Sequence, residues 1–412
     1  MAWPCTVSGT ARADAHSSID CAEAKALAPT PIKDAVMKIK AAVLQAIGAQ
    51  RPYQQSQPLV IEELDLDPPG DNEVLIQIKA AGLCHSDLSV IDGNRPRPVP
   101  MALGHEAAGI VKIVGSGVTD LAVGDHVVAV FVPSCGHCTP CAEGRPALCE
   151  PAAKANNQGT MFDGGHRLHR TDGTAINHHM GVSAFADHAV VSRHSLVKID
   201  HRLPFCHAAL FGCAVLTGVG AAINSAGIQA GQTVAVVGLG GVGLNSVLGA
   251  LVAGASEIIA IDVDDQKLAL AKELGATHTF NSGQPKAVEN IKAITAGGVD
   301  CAIEMAGSEK ALEFAYQITR RGGITVTGGL AHPDKKVAIQ QVSLVAEERT
   351  LRGSYVGSCV PVRDVPRYVK LFQQGKLPVD RLLSGVLTLD EINDGFEKLA
   401  AGKAVRQVIE FT

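Results

Sequence analysis

The chain has 412 residues, 46% of them hydrophobic, enough to bury two ordinary cores, so two domains are expected. Its 36 basic and 41 acidic residues leave a formal charge of -5 with no basic tract, which argues against nucleic acid or an anionic membrane and for a small-molecule substrate. Charges or glycines interrupt every apolar run before the roughly 20 residues that a bilayer crossing needs, so a soluble, cytoplasmic protein with no membrane partner is expected.

Residues 1–36 are rich in Ala, Ser, Thr and Pro, show no apolar periodicity, and lack the basic start and apolar centre of a signal peptide. They read as a disordered tail. Met37 opens the folded part and is itself a candidate initiation site. From there to about residue 200 the chain reads as short strands and loops, a mainly β domain assigned to 37–213. Val74, Ile76 and Ile78 alternate with polar partners, and Val127 to Phe131 is a compact apolar run after Gly124 and Asp125. Ala152 to Met180 carries Gly, Asn, His and Asp with little periodicity and reads as a loop-rich excursion.

After Cys213 the pattern changes. Apolar strands at Thr233–Val237, Glu257–Asp262, Val299–Met305, Gly323–Thr327 and Leu351–Tyr355 alternate with helical runs at Gly241–Ala253, Asp265–Leu274 and Glu309–Thr319. Repeated strand–helix units predict a parallel, doubly wound sheet over 214–356 and an α/β fold class. Residues 357–412 add helical patterns at Asp364–Gln374 and Leu389–Ala401 and a last strand at Val405–Phe411, which returns to the first domain.

The run Gly238-Leu-Gly240-Gly-Val242-Gly243 follows an apolar strand and opens a helix. In that context the first glycine permits a tight turn, the second lets a pyrophosphate approach the backbone, and the third lets helix and strand pack closely. The phosphates then rest on the helix N-terminus. Asp262 ends the next strand, where its carboxylate accepts hydrogen bonds from a ribose and repels a 2′-phosphate. No arginine follows in Val263-Asp264-Asp265, so NAD is expected rather than NADP. Lys267 is a candidate second ribose contact.

Eleven cysteines would suit a disulfide framework, but Cys84, Cys135, Cys138, Cys141 and Cys149 cluster, and the last four are spaced as metal ligands. Reduced thiols in a reducing compartment are expected. Cys135, Cys138, Cys141 and Cys149 can close tetrahedrally on zinc with no open position. An iron–sulfur cluster is the rival, but the ferredoxin pattern puts its fourth cysteine after three residues and before proline, whereas Glu150 follows here. Cys84, His105 and Cys213 remain for a second zinc whose fourth position is open to chemistry. Cys5, Cys21, Cys206, Cys301 and Cys359 read as unpartnered thiols.

Gly82-Leu-Cys-His-Ser-Asp87, Gly104-His-Glu-Ala-Ala-Gly109, the four-cysteine lobe, Gly212-Cys213-Ala-Val-Leu-Thr217 and Gly238 to Gly243 occur in this order. Together they resemble the zinc-dependent alcohol dehydrogenases of the medium-chain dehydrogenase/reductase superfamily, from about Met37 to Thr412. The resemblance implies a GroES-like catalytic domain, a Rossmann coenzyme domain inserted within it, two zinc ions per subunit, NAD and a homodimer. It implies Cys84, His105 and Cys213 as catalytic zinc ligands, Asp87 supporting His105, and Glu106 behind the metal. Ser86 matches the hydroxyl that takes the substrate proton, and Phe131 and Tyr355 match walls of the substrate pocket. Thr217 and Val242 would meet the nicotinamide, and His85 and Arg406 the pyrophosphate.

The implied reaction is reversible oxidation of an alcohol to an aldehyde or ketone, with zinc as Lewis acid and hydride passing to NAD. Many members of the family carry a histidine five residues after the first zinc cysteine, where this chain has Ser89. Arg95 lies in a stretch that can border the substrate pocket, where it would suit an anionic substrate, though Gly-Asn-Arg-Pro-Arg-Pro reads as surface. The excursion before Phe185 is similar to the branch that includes glutathione-dependent formaldehyde dehydrogenases. A polyol dehydrogenase would carry glutamate at Cys213, a quinone reductase would lack both metal sites, and a non-catalytic zinc- or NAD-binding sensor would keep the lobe and glycine turn alone.

Overall fold

The computed structural model describes residues 35–412, which form three sheets. The expected disordered tail therefore lies, but for its last two residues, outside the described residues. Strands Met37–Leu44, Leu59–Leu66, Leu168–His169, Ala175–His178 and Met101–Ala102 close into a barrel. Beside it, a seven-stranded sheet is built round Glu73–Leu83, which pairs with Ala107–Val114, His188–Ser192 and Arg406–Glu410. Alternation along Glu73–Leu83 lets one strand serve two cores: Val74, Ile76 and Ile78 face the main core, while Leu75 faces the barrel core.

The loop reading of Ala152–Met180 is corrected here. The segment contains most of the helix Glu150–Gln158 and two barrel strands, Leu168–His169 and Ala175–His178. The helix is short and mostly polar, and the strands are too short for a period to show. Its buried Asn156 donates through Nδ2 to the carbonyl of Phe131 at 3.0 Å, tying the helix to the neighbouring sheet.

The third sheet has six parallel strands in the order His278–Asn281, Glu257–Asp262, Thr233–Val237, Val299–Glu304, Thr319–Thr327, Thr350–Gly353. This is the expected doubly wound arrangement, and its order reverses beside Thr233–Val237, where ligands bind at the carboxyl ends of such strands. The helix Gly241–Ala253 and the strand Glu257–Asp262 keep their predicted bounds. The strand expected from Gly323 begins at Thr319, because Arg320, Arg321 and Gly322 cross an irregular register that hides the apolar pattern.

Two elements join the layers. The helical segments Phe205–Gly212 and Ala214–Ala226 meet at a 53° bend that holds Cys213. Among the described residues no single helix is long and apolar enough to cross a membrane; this bent pair passes on length and composition, and its apolar residues from Ala208 to Leu216 are buried in the molecule. The strand Arg406–Glu410 sets Gln407 opposite Leu83 and Val408 opposite Gly82, which brings Arg406 beside Cys84.

Candidate functional site

Cys84 follows the strand Glu73–Leu83 and caps the helix His85–Ile91, with Asp87 at the third helical position accepting the Cys84 backbone N–H at 3.3 Å. The other oxygen of Asp87 accepts the Gly104 N–H at 3.1 Å and lies 3.0 Å from Nδ1 of His105. This fixes the imidazole and leaves its Nε2 buried without a hydrogen-bond partner. A ring nitrogen of His105, the thiols of Cys84 and Cys213 and a Glu106 oxygen all lie within 4.8 Å of one another. Two thiols and an orphaned ring nitrogen fit a zinc with one position left open, the Glu106 carboxylate standing behind them towards Arg406.

Charge in this buried group is organised from behind. The hydrogen bond from Cys213 holds the Cys84 thiol well below its usual range, with Arg406 and His105 adding, and the same bond pushes Cys213 up. Burial raises the carboxyl of Glu106 to about 7 against the pull of Arg406, whose Nη1 is 3.5 Å away. Gly82 makes room for this carboxylate, since a Cβ there would stand 2.3 Å from Glu106 Oε1. Burial lowers the guanidinium of Arg406, but Glu106 and the two thiols outweigh it and keep the charge firmly in place. Arg406 is 4% exposed and has no surface role.

Sequence reasoning passed over His179, which is fully buried with its Nδ1 3.0 Å from Asp87 Oδ1 and its ring edge-on to His105. No motif marks it; it follows a four-residue barrel strand in the segment read as loop.

A cleft of about 470 Å³ runs from the two thiols to Asp262. At the thiol end Phe131 packs edge-on to His105 at 5.1 Å and to Tyr355 at 6.3 Å, and Ser86 borders the space. Ser89 borders it too, with its hydroxyl donating to the His85 carbonyl at 2.8 Å. The surface reading of Arg95 is corrected: the residue is half-buried and lines the cleft, because the chain after the helix folds back and its N–H donates to the Ser89 carbonyl at 2.7 Å. His85, Thr217 and Val242 line the middle.

At the far end Gly238 adopts φ +90°, and a Cβ on Gly243 would lie 1.8 Å from the Gly238 carbonyl oxygen, so the turn and the close packing both need glycine. Above Gly240 nothing lies within 4 Å, which leaves the open approach a pyrophosphate requires. Arg406 lies over the start of the same helix, where its Nε would stand 2.1 Å from a Cβ on Gly241. Asp262 is held at its strand end by the N–H of Leu239 at 2.6 Å and of Val263 at 2.8 Å, and borders the cleft with Lys267. These residues fit a dinucleotide. Met305 and Gly328–Leu330 also line the cleft and were missed, although they follow the carboxyl ends of parallel strands, where the fold places ligands. Buried Glu304 ties these two turns together, accepting from the Gly307 N–H at 2.6 Å and the Thr327 hydroxyl at 2.7 Å.

The thiols of Cys135, Cys138, Cys141 and Cys149 lie within 4.8 Å of one another, away from the cleft. Cys135 Sγ accepts the Cys138 N–H at 3.2 Å and Cys149 Sγ accepts the Cys135 N–H at 3.3 Å. The backbone N–H of His137 leads in lowering Cys135 to about 6, and burial pushes Cys141 up to about 12. Four thiols in this arrangement fit a closed tetrahedral zinc. All the cysteines among the described residues are free thiols; Cys5 and Cys21 lie outside them.

Residues 70–201 match the family described as Alcohol dehydrogenase GroES-like domain, and residues 241–374 the family described as Zinc-binding dehydrogenase. The NDMA-dependent alcohol dehydrogenase of Amycolatopsis methanolica is 41% identical over 376 residues, 90% of this chain and 99% of that protein. The structure of benzyl alcohol dehydrogenase from Acinetobacter calcoaceticus aligns with a TM-score of 0.85 at 35% identity, covering 91% of this chain and 100% of that one. A zinc-binding dehydrogenase from Sinorhizobium meliloti 1021, solved bound to NADP, aligns with a TM-score of 0.73 at 28% identity, covering 91% and 100%.

Proposed function

We infer the activity from one premise: the chain belongs to the zinc-dependent alcohol dehydrogenases of the medium-chain dehydrogenase/reductase superfamily. It is a zinc-binding oxidoreductase that uses a nicotinamide cofactor and acts on small alcohols or aldehydes. The finer reading we propose is hydride transfer between an alcohol and NAD, with one zinc held by Cys84, His105 and Cys213 and a second by the four lobe cysteines. The observation that carries it is the orphaned Nε2 of His105 beside two thiols, at one end of the cleft whose other end is the open cradle above Gly240.

When bound, the zinc supplies Lewis acidity that lowers the pKa of the alcohol, and NAD supplies the hydride acceptor. The chain's own residues do the positioning. Asp87 orients His105, Glu106 and Arg406 set the charge behind the thiols, and Phe131 and Tyr355 line the substrate end. Ser86 takes the hydroxyl proton at its Oγ. Ser89 carries no titratable group and donates to the His85 carbonyl, so the proton leaves Ser86 by a path other than a histidine relay.

NAD is favoured over the NADP held by the S. meliloti neighbour because Asp262 presents a carboxylate where a 2′-phosphate would sit, with Lys267 the cation beside it. A homodimer fits the exposed edge strand Thr350–Gly353 of the six-stranded sheet. Free thiols fit a reducing, cytoplasmic setting.

The test is zinc content per subunit together with steady-state oxidation of primary, aromatic and secondary alcohols. NAD, NADP and NDMA serve as acceptors, and a parallel assay uses glutathione with formaldehyde. Two zincs with NAD-dependent alcohol oxidation are expected. One zinc and no turnover would sink the reading in favour of a sensor, and turnover with NDMA alone would move it towards the dependence that the A. methanolica relative is named for.

A further inference from the structure

The substrate end of the cleft holds a positive charge that the mechanism above leaves unused. Arg95 borders this end with Phe131, Tyr355, Cys84 and Cys213. Its charge is acted on by burial, by Tyr355 and by Cys84, with no carboxylate among these influences. Among the described residues Arg95 forms no ion pair, and its side chain makes no hydrogen bond. Asp92, the acid nearest in sequence at this end, is taken by Asn94, whose backbone N–H and side-chain amide donate to its two oxygens at 2.9 and 2.8 Å.

Half-buried guanidiniums elsewhere in the chain are treated differently. Arg167 holds Glu73 and Asp163, Arg170 holds Glu62, and Arg349 holds Glu347. Arg97, close enough to Arg95 to be repelled by it, turns instead to the Asn156 carbonyl and the Asn157 amide, so it brings no negative charge either. Keeping an unpaired cation partly out of water is costly unless a counter-charge arrives, and a guanidinium matches a carboxylate with two parallel hydrogen bonds. The cofactor would not supply that counter-charge, because the cradle that fits its phosphates is the open approach above Gly240, towards the far end of the cleft.

We propose that Arg95 is the anion-recognising residue of the substrate end, and that the alcohol oxidised here carries a carboxylate, giving an aldehyde acid as product. This rests on the alcohol dehydrogenase reading and narrows it to a substrate class.

The decisive comparison is kcat/KM for 4-(hydroxymethyl)benzoate against 4-(hydroxymethyl)benzamide, of like shape but neutral. A matched aliphatic series of ω-hydroxycarboxylates and alkanols covers the case of a pocket too narrow for a ring. The intact protein should prefer the acid by roughly tenfold or more, the strength of a charge-assisted hydrogen bond. Arg95→Leu should remove that preference and Arg95→Lys restore part of it. Equal rates for acid and neutral alcohol in both series, or a preference that survives Arg95→Leu, would overturn the proposal. Should no alcohol turn over with any acceptor, the reading of the activity fails, but the anion site is still decided by calorimetry on the zinc- and NAD-loaded protein. Tighter binding of 4-formylbenzoate than of 4-formylbenzamide, lost in Arg95→Leu, upholds it; equal binding overturns it.

Discussion

The two thiol clusters use nearly the same donors within the same 4.8 Å span, yet they are built in opposite ways. In the lobe, four cysteines lie close in sequence and the chain's own N–H groups donate to their sulfurs, as Cys138 does to Cys135 and Cys135 to Cys149. In the cleft, Cys84, His105 and Cys213 come from a helix cap, a turn and a helix bend, and they are steadied by Asp87, Glu106 and Arg406 rather than by local backbone. A site that local geometry can assemble closes on its metal and staples a loop. A site assembled by the tertiary fold can leave one side facing a cavity.

That contrast breaks if both clusters respond alike to losing a ligand. Cys213→Ser should cut kcat by roughly 10³-fold or more and lower zinc content by about one per subunit while barely moving the melting temperature. Cys141→Ser should also lose about one zinc but cost roughly 3 kcal/mol or more of stability, since structural zinc binding is folding free energy. Metal analysis with thermal melts separates the two, and a Cys213→Ser protein as unstable as Cys141→Ser would make the cleft site a staple as well.

Acid sensitivity supplies a control that belongs to neither cluster. His178, fully buried in the barrel, is lowered from 6.5 to about 3, first by burial and then by His166 and Arg167. Its folded pKa is below the unfolded value, so the unfolded chain binds the extra proton, and stability is lost as pH falls from 6.5 towards 3, by up to roughly 4 kcal/mol. Denaturant melts across that range should keep this slope in both cysteine variants and lose it in His178→Gln. Loss of the slope on zinc removal would show that the barrel and the metal sites are coupled.

The smallest effect sharpens the role assigned to support. Asp87→Asn should weaken zinc at the cleft site by roughly 10- to 100-fold while leaving zinc at the lobe unchanged, because its carboxylate holds Nδ1 of His105 and is not one of the three proposed ligands. Competition with a chelator measures this directly, and equal release from both sites would remove Asp87 from its positioning role.

How much was legible beforehand follows the same division. The lobe and the glycine turn could be read because their residues are adjacent and their spacing is itself the chemistry. Five of the six strands of the parallel sheet could be read because buried parallel strands are continuous apolar runs, whereas the edge strand His278–Asn281 is short, mixed in polarity and only partly buried, and shows no such run. The trio in the cleft was chemically plausible from residue type and from the place of Cys213 just before the nucleotide-binding unit, but the roles of its members came through resemblance to a family, since nothing local joins Cys84 to Cys213. His179 was not legible at all, and Arg95 only as a residue that could border the pocket and suit an anion. One follows a barrel strand too short to show a period, and the other sits among prolines that read as surface until the chain is seen folding back on Ser89.

The strand Arg406–Glu410 has a consequence for how the cleft holds together. Arg406 reaches Glu106 across 300 residues of chain and lies against the start of the dinucleotide helix, so both halves of the cleft wait on it. The lobe needs nothing from it, since its four cysteines all lie between Cys135 and Cys149. A chain in which this strand fails to pair with Glu73–Leu83 would therefore lose both ends of the cleft at once while keeping the lobe's four thiols together.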